Sequence, residues 1–328
     1  MKKIFRLFIS STFSDFREER ELLQVSIFPK LARYCEASGY QVQPIDLRWG
    51  VQAEAQLDQK TLEVCLNQVK ACKHFPHPNF LIMVGNRYGW VPLPYAIERE
   101  EFLRLRNSIR RRDPSMVELL EQWYRLDKNH ICLNESGTSV AYVLVSRTAE
   151  FESSDVWIAV ENRLRDMLQS AAKELCLAGK ARDKYFLSAT EHEVVEGIFE
   201  YRCQDRVGQS DGGEVDSKFV YCFVRGRDET GLDDETLSFR RLLRTAIPPE
   251  NIFESDEVDG YCAAFGDSLF HFLKRCVDQH IAKVSDISAL DQELAEQEAF
   301  LSQKVANFFG REDSLVLVDE YLAGGGDF

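Results

Sequence analysis

Three apolar runs in the amino-terminal part of the chain each end in a cluster of polar and aromatic side chains. Ile4 to Ile9, apolar apart from Arg6, runs into Phe8-Ile9-Ser10-Ser11-Thr12-Phe13. Tyr40 to Ile45 alternates and runs into Asp46-Leu47-Arg48-Trp49-Gly50, and the unbroken Phe80 to Val84 runs into Gly85-Asn86-Arg87-Tyr88-Gly89-Trp90. An unbroken apolar run predicts a strand buried on both faces. Between the first two runs, Leu23, Ile27, Leu31 and Tyr34 recur at helical spacing with Gly39 as a stop, and Asp15 with Glu18 reads as a capping box at the helix start. Leu62, Cys65, Leu66, Val69 and Cys72 make a second helical stripe before the third run. The order strand, helix, strand, helix, strand predicts an α/β sheet of parallel strands with right-handed crossovers. Ligands of such sheets bind beyond the carboxyl ends of the strands, so the three clusters are expected to share one pocket.

Beyond Trp90 the pattern changes. Residues 98–127 are charged and helical in period, ending in Trp123-Tyr124-Arg125-Leu126-Asp127, and predict a helical insertion around residues 95–130. Tyr142 to Val145 predicts a fourth strand, residues 155–177 a long amphipathic helix, and Phe219 to Val224 a last buried strand. Thr190 with Glu193 fits an N-cap and capping box, which gives the carboxylates of Glu191 and Glu193 a structural reading beside any chemical one. Residues 204–217, rich in Gly, Ser and Asp, read as a surface loop. An α/β domain is expected over residues 1–283, and a helical linker rich in Glu, Gln and Ala over residues 284–328. Ala323-Gly324-Gly325-Gly326 near its end reads as a boundary before a further module.

Composition narrows the function classes. With 328 residues, 45% of them hydrophobic, the chain can bury a sizeable core. A net charge of −14 argues against a nucleic-acid surface, which needs clustered Lys and Arg, and the dense basic stretch Arg104 to Arg112 reads as a solvated helix face. Nine cysteines without a C-x-x-C pair suit free thiols in a reducing compartment. His74 and His77 lack a partner pair with zinc spacing, so no metal is expected. No apolar stretch reaches membrane-spanning length and Arg6 interrupts the first run, so a cytoplasmic protein without membrane contact is expected.

Phe8-Ile9-Ser10-Ser11-Thr12-Phe13-x-Asp15, Glu19-Arg20, Asp46-Leu47-Arg48-Trp49-Gly50, Cys65-Leu66 and Arg87-Tyr88-Gly89-Trp90, taken in that order, resemble the domain of unknown function 4062. Trp123 to Asn129 and Ser188 to Glu193 resemble its later motifs, and Phe309-Gly310-Arg311 a lead-in to an NTPase module. That family lies at the amino terminus of STAND-type NTPases, including telomerase-associated and nephrocystin-like proteins and bacterial defence proteins. The resemblance implies a TIR-like, flavodoxin-like sheet and an effector or signalling role, with self-association driven by a downstream ATP-binding switch. In bacterial relatives it implies defence against phage, with a phage-derived trigger sensed elsewhere in the protein. No G-x-x-x-x-G-K-[ST] loop occurs in these residues, so they are not themselves the ATPase.

TIR-like NAD hydrolases place a glutamate at the start of the helix after the third strand, where a carboxylate can stabilise an oxocarbenium-like transition state. The resemblance implies NAD⁺ as substrate, with Glu101 as the catalytic candidate and Glu98 in reserve, although the Trp-Cys-x-x-Glu signature is absent. Ser10, Ser11 and Thr12 can donate hydrogen bonds to phosphate or ribose at a strand-to-helix turn. Arg48 and Arg87 can neutralise a pyrophosphate, and Trp49, Tyr88 and Trp90 can stack on a base. The structural reading of the same residues has Asp46 paired with an arginine, Glu19 with Arg20 or Arg48, and the aromatics capping the sheet. Two other functions are open: a non-enzymatic assembly or partner-recruitment module, and a metal-dependent nuclease using Asp46 with Asp58-x-Lys60. Residues 53–60 lack the strand pattern that such a nuclease needs.

Overall fold

The computed structural model describes residues 3–12, 15–47, 56–134, 137–199 and 217–285, and seven residues beyond them, Glu293, Leu294, Gln297, Glu298, Phe300, Leu301 and Val316. Residues 3–278 form one compact unit, and residues 1–2 with 279–328 form a second. The expected loop at residues 204–217 lies almost wholly outside the described residues, as do the Phe309-Gly310-Arg311 segment and the clustered residues Phe13, Arg48, Trp49 and Gly50.

In chain order, β1 (Ile4–Ser11) leads to α1 (Arg17–Leu22), a π-helical turn at Leu23–Ile27 and α2 (Phe28–Glu36). Then come β2 (Gln41–Ile45), α3 (Thr61–Lys73) and β3 (Phe80–Val84). An insertion follows with β4 (Ala96–Glu98), α4 (Arg99–Arg112), α5 (Ser115–Trp123), β5 (Tyr124–Asn134), β6 (Gly137–Leu144), α6 (Ser154–Glu174) and α7 (Gly179–Phe186). The main sheet resumes through α8 (Ala189–Val194), a π-helical turn at Val195–Phe199 and β7 (Val220–Arg225). It closes with α9 (Asp234–Ala246), β8 (Ile252–Ser255) and α10 (Tyr261–Ser285).

The main sheet has strand order β2-β1-β3-β7-β8, and every neighbouring pair is parallel. Its centre explains its sequence. All five residues of β3 are buried, and so are the first five of β7, which is why those runs are unbroken. β2 lies at an edge, where Pro44 withholds no needed hydrogen-bond donor. Phe8, Ile82, Val84, Cys222 and Val224 pack one face against Val69 of α3, Val194 of α8 and Phe239 and Leu243 of α9. On the other face, Phe223 stacks on Phe265 of α10 at 4.4 Å between ring centroids and meets Phe16 edge-on at 6.1 Å. Helices that carry the chain one way along the sheet share one face, and α1, which carries it the other way, lies opposite. That is the arrangement right-handed crossovers impose.

The insertion is larger than its charge pattern predicts. Its own core runs from Leu93 to Tyr185, around Phe102, Leu105, Leu120, Trp123, Leu164 and Leu168. The helix at Trp123 stops there, because Tyr124 to Asp127 pairs antiparallel with Leu144 to Ala141. Tyr142 to Val145 therefore contributes to a separate three-stranded sheet of order β4-β6-β5, not to a fourth strand of the main sheet. β8, short and half-buried, follows the strand expected to be last. The Asp15–Glu18 capping box does not form: Phe16, left-handed at φ 64°, caps α1, and Asp15 accepts a hydrogen bond from Thr12 Oγ1 at 2.7 Å.

Candidate functional site

β1 is where the strand order reverses, with β2 on one side and β3 on the other. A cavity of about 190 Å³ opens beyond the carboxyl ends of these strands, as expected at a topological switch point. β1 supplies Ser11 and the residue after it, Thr12. Asp46 and Leu47 follow β2, Arg87, Gly89 and Trp90 follow β3, Thr61 and Cys65 come from α3, and Thr190 and Glu193 from α8. Gly89 is required here: at φ +96° it adopts a conformation other residues resist, and a Cβ would sit 3.0 Å from Thr12 Cγ2.

Glu193 is one of two acids whose side chains are buried at this cavity, beside Asp46. α8 is capped by Ser188, whose Oγ accepts from the Glu191 backbone N–H at 3.2 Å, so Thr190 is not the cap and Glu193 is free of capping duty. The Glu193 side chain turns instead to β1, where Ser10 Oγ donates to its Oε2 at 2.5 Å, and the Cys65 thiol donates to it as well. It forms no ion pair among the described residues. Burial pushes its carboxyl up from 4.5 to about 7, against the hydrogen bonds from Ser10 and Cys65 and the attraction of Arg20. Cys65 beside it is held as a thiol by burial and by the neighbouring carboxylate.

The other polar groups are already committed in part. Arg20 reaches from α1 to ion-pair with Asp46, both side chains buried, and its second guanidinium nitrogen donates to Ser11 Oγ. This is one of the structural pairings expected from the sequence; Glu19 pairs instead with Arg225 at 3.1 Å and accepts from Tyr261 Oη at 3.2 Å. Arg87 is exposed, lines the cavity and has no partner among the described residues. Trp90 donates through Nε1 to Glu161 Oε1 on α6 at 2.6 Å, and Glu161 is held in turn by Arg165 at 2.8 Å.

Of the residues expected at the pocket, Ser11, Thr12, Asp46, Arg87 and Trp90 line it. Ser10 lies beneath it and acts on Glu193. Tyr88 turns away, its hydroxyl donating to Glu191 and its ring meeting Phe239 edge-on at 6.3 Å, so it caps the sheet and does not face the cavity. Arg48 and Trp49 lie outside the described residues. Glu98 and Glu101 are elsewhere. Glu98 caps α4, accepting from the backbone N–H groups of Glu100 and Glu101 and from Ser139, while Glu101 pairs with Lys184 at 2.7 Å and accepts from Tyr185 Oη at 2.5 Å. Both belong to the insertion. The rule that led to Glu101, a carboxylate at the start of the helix after the third strand, points to α8 once the insertion between Trp90 and α8 is set aside.

Residues 6–112 match the family described as "Domain of unknown function (DUF4062)". The match takes in the loops after β1, β2 and β3 and stops short of Glu193. The chain is 34% identical over 114 residues to NACHT domain- and WD repeat-containing protein 1 of Mus musculus, covering 34% of the chain and 7% of that protein. It is 28% identical over 213 residues to NACHT and WD repeat domain-containing protein 2 of Mus musculus, covering 57% of the chain and 11% of that protein. Telomerase protein component 1 of Mus musculus is 40% identical over 92 residues, 28% of the chain and 3% of that protein. The chain thus spans about a tenth or less of the length of these relatives. No solved structure matches it.

Proposed function

From a chain whose residues 6–112 are a DUF4062 domain of the kind carried by NACHT-type proteins, we propose a TIR-like effector domain whose pocket hydrolyses the N-glycosidic bond of NAD⁺. The observation that carries this reading is Glu193, a buried carboxyl with no ion-pair partner among the described residues, held by Ser10 at the sheet's switch point. As the bond between ribose C1′ and the pyridinium nitrogen breaks, its electron pair passes to nicotinamide, which leaves neutral and needs no general acid. Positive charge then develops on the ribose. An ionised Glu193 stabilises that charge and accepts a hydrogen bond from a ribose hydroxyl. Water adds at C1′ and loses its proton to solvent, giving ADP-ribose.

The cavity supports a division of labour. About 190 Å³ accommodates a sugar and not a whole dinucleotide, so the remainder of the substrate extends past Arg87 and Trp90 at the rim. Arg87, exposed and unpaired among the described residues, is suited to the pyrophosphate, whereas Arg20 is neutralised by Asp46. In the whole protein, ATP would belong to the NACHT-type module, and clustering by that module would switch the domain on. For a relative in a bacterium the proposed setting is antiphage defence.

The test is nicotinamide release from NAD⁺ by the artificially clustered chain. Glu193→Gln is expected to lower the rate about 100-fold or more, the usual cost of removing one transition-state electrostatic partner, and Glu101→Gln to leave it within twofold. No release from the folded, clustered parent rejects hydrolysis and leaves assembly or partner recruitment as the role.

A further inference from the structure

β5 forms one edge of the insertion's three-stranded sheet, and no strand among the described residues pairs with its outer side. An open edge presents unpaired N–H and C=O groups to any chain that can add a strand. The ladder on the inner side shows which groups these are. The Trp123 carbonyl accepts from the Val145 N–H at 2.9 Å, while the Leu144 N–H turns the other way, to the Tyr95 carbonyl at 2.8 Å. Hydrogen-bonded and non-bonded pairs alternate along an antiparallel ladder, so Arg125 and Asp127 bond inward to Val143 and Ala141. The N–H and C=O of Leu126 between them therefore point outward.

The same stretch fixes what the edge can accept. Regular pairing runs from Tyr124 to Asp127 before the register shifts between Asp127 and Ile131, and the Tyr124 N–H is already held by the Leu120 carbonyl of α5. That leaves Leu126, an exposed apolar residue, as the natural centre of any added pairing. A second copy laid antiparallel about Leu126 exchanges two N–H···O bonds there, and the two-fold symmetry sets Arg125 of each copy directly opposite Asp127 of the other. Arg125 is exposed and forms no ion pair among the described residues. Asp127 accepts from the Asn129 N–H through Oδ1 at 2.9 Å, which leaves Oδ2 for a guanidinium. Opposite charges in facing positions of a sheet attract and like charges repel, so this edge is complementary to itself.

We propose that β5 is a docking edge for a second copy of this chain, joined by an isologous antiparallel strand pair centred on Leu126. The proposal does not depend on the Glu193 pocket, and it gives the clustering invoked above a contact within this domain. So short a pairing is weak alone, and a tethered module that raises the local concentration would promote it.

Sedimentation velocity of the full chain tests it. A reversible monomer–dimer equilibrium is expected at about 100 µM protein, as for a weak, transient interface. Arg125→Asp and Asp127→Lys each set like charges opposite one another, and each should weaken the dimer about tenfold or more. Mixed in equal amounts, the two variants face opposite charges again and should form a heterodimer within about threefold of the parent's affinity. Leu126→Pro removes an outward N–H that the ladder to β6 does not use, so it should abolish the dimer while thermal unfolding stays like that of the parent. A parent that stays monomeric, a dimer that survives Leu126→Pro in a folded chain, or a mixture that pairs no better than its components overturns the proposal. The mixture decides even where the proline variant fails to fold. A dimer without nicotinamide release leaves the edge standing and removes hydrolysis alone.

Discussion

At the scale of single residues, the decisive feature is a buried glutamate, Glu193, that forms no ion pair among the described residues. Glu101 stands at the start of the next helix after the third strand, but Lys184 and Tyr185 occupy its two carboxylate oxygens. Glu193 was legible in the sequence only as half of a capping box, because Ser188-x-x-Glu191 and Thr190-x-x-Glu193 carry the same signature and the order of residues does not choose between them. Its raised pKa has a consequence for stability. The folded carboxyl binds its proton more tightly than the unfolded one, so the native state is favoured at low pH, and stability is lost as pH climbs from about 4.5 to about 7. Gln in its place carries no such penalty. Relative to the parent, Glu193→Gln should therefore gain stability between pH 5 and pH 8, on the order of a few kcal/mol, in denaturant melts at the two pH values. A difference between the two proteins that does not change with pH would contradict the burial of the ionisable group.

Among the elements, the strands and helices of the first ninety residues were legible because each has one dominant period: unbroken apolar β3, helical stripes in α1 to α3. The insertion was not. Its charged helix α4 hides a second core, and Arg125, Asp127, Lys128 and Asn129 interrupt the apolar pattern of β5, so its alternation reads weakly between helical segments. The clamp that fixes the loop after β3 was equally silent. Arg240 of α9, fully buried, donates to the carbonyls of Gly85, Arg225 and Gly226 and to Asn86 Oδ1, each at 2.9 Å, tying the ends of β3 and β7 together. Four acceptors lose their donor in Arg240→Met, which should cost about 3 kcal/mol or more in urea unfolding. A loss under about 1 kcal/mol would mean that solvent replaces the clamp.

For the molecule as a whole, residues 3–278 hold two cores in one compact unit, and the pocket draws on both. Trp90 leaves the main sheet and is held by Glu161 on α6 of the insertion, while Arg165 also donates to the Val91 carbonyl at 2.7 Å. The insertion thereby orients one wall of the site while Glu193 and its partners stay on the main sheet. Glu161→Ala should raise the KM for NAD⁺ severalfold and leave the pKa seen in the rate profile where it is; an unchanged KM would detach the insertion from substrate binding. No helix among the described residues is long and apolar enough to cross a membrane.

The measurement that bears most directly on the central claim is the pH dependence of kcat/KM for nicotinamide release by the clustered chain. Because Glu193 works as an anion and its carboxyl sits at about 7 in the free protein, the rate should climb tenfold per pH unit below that value and level off above it. A profile that is flat from pH 5 to pH 9, or whose limb falls near 4.5 as for an exposed glutamate, would show that the buried carboxyl of the switch-point pocket takes no part in the reaction.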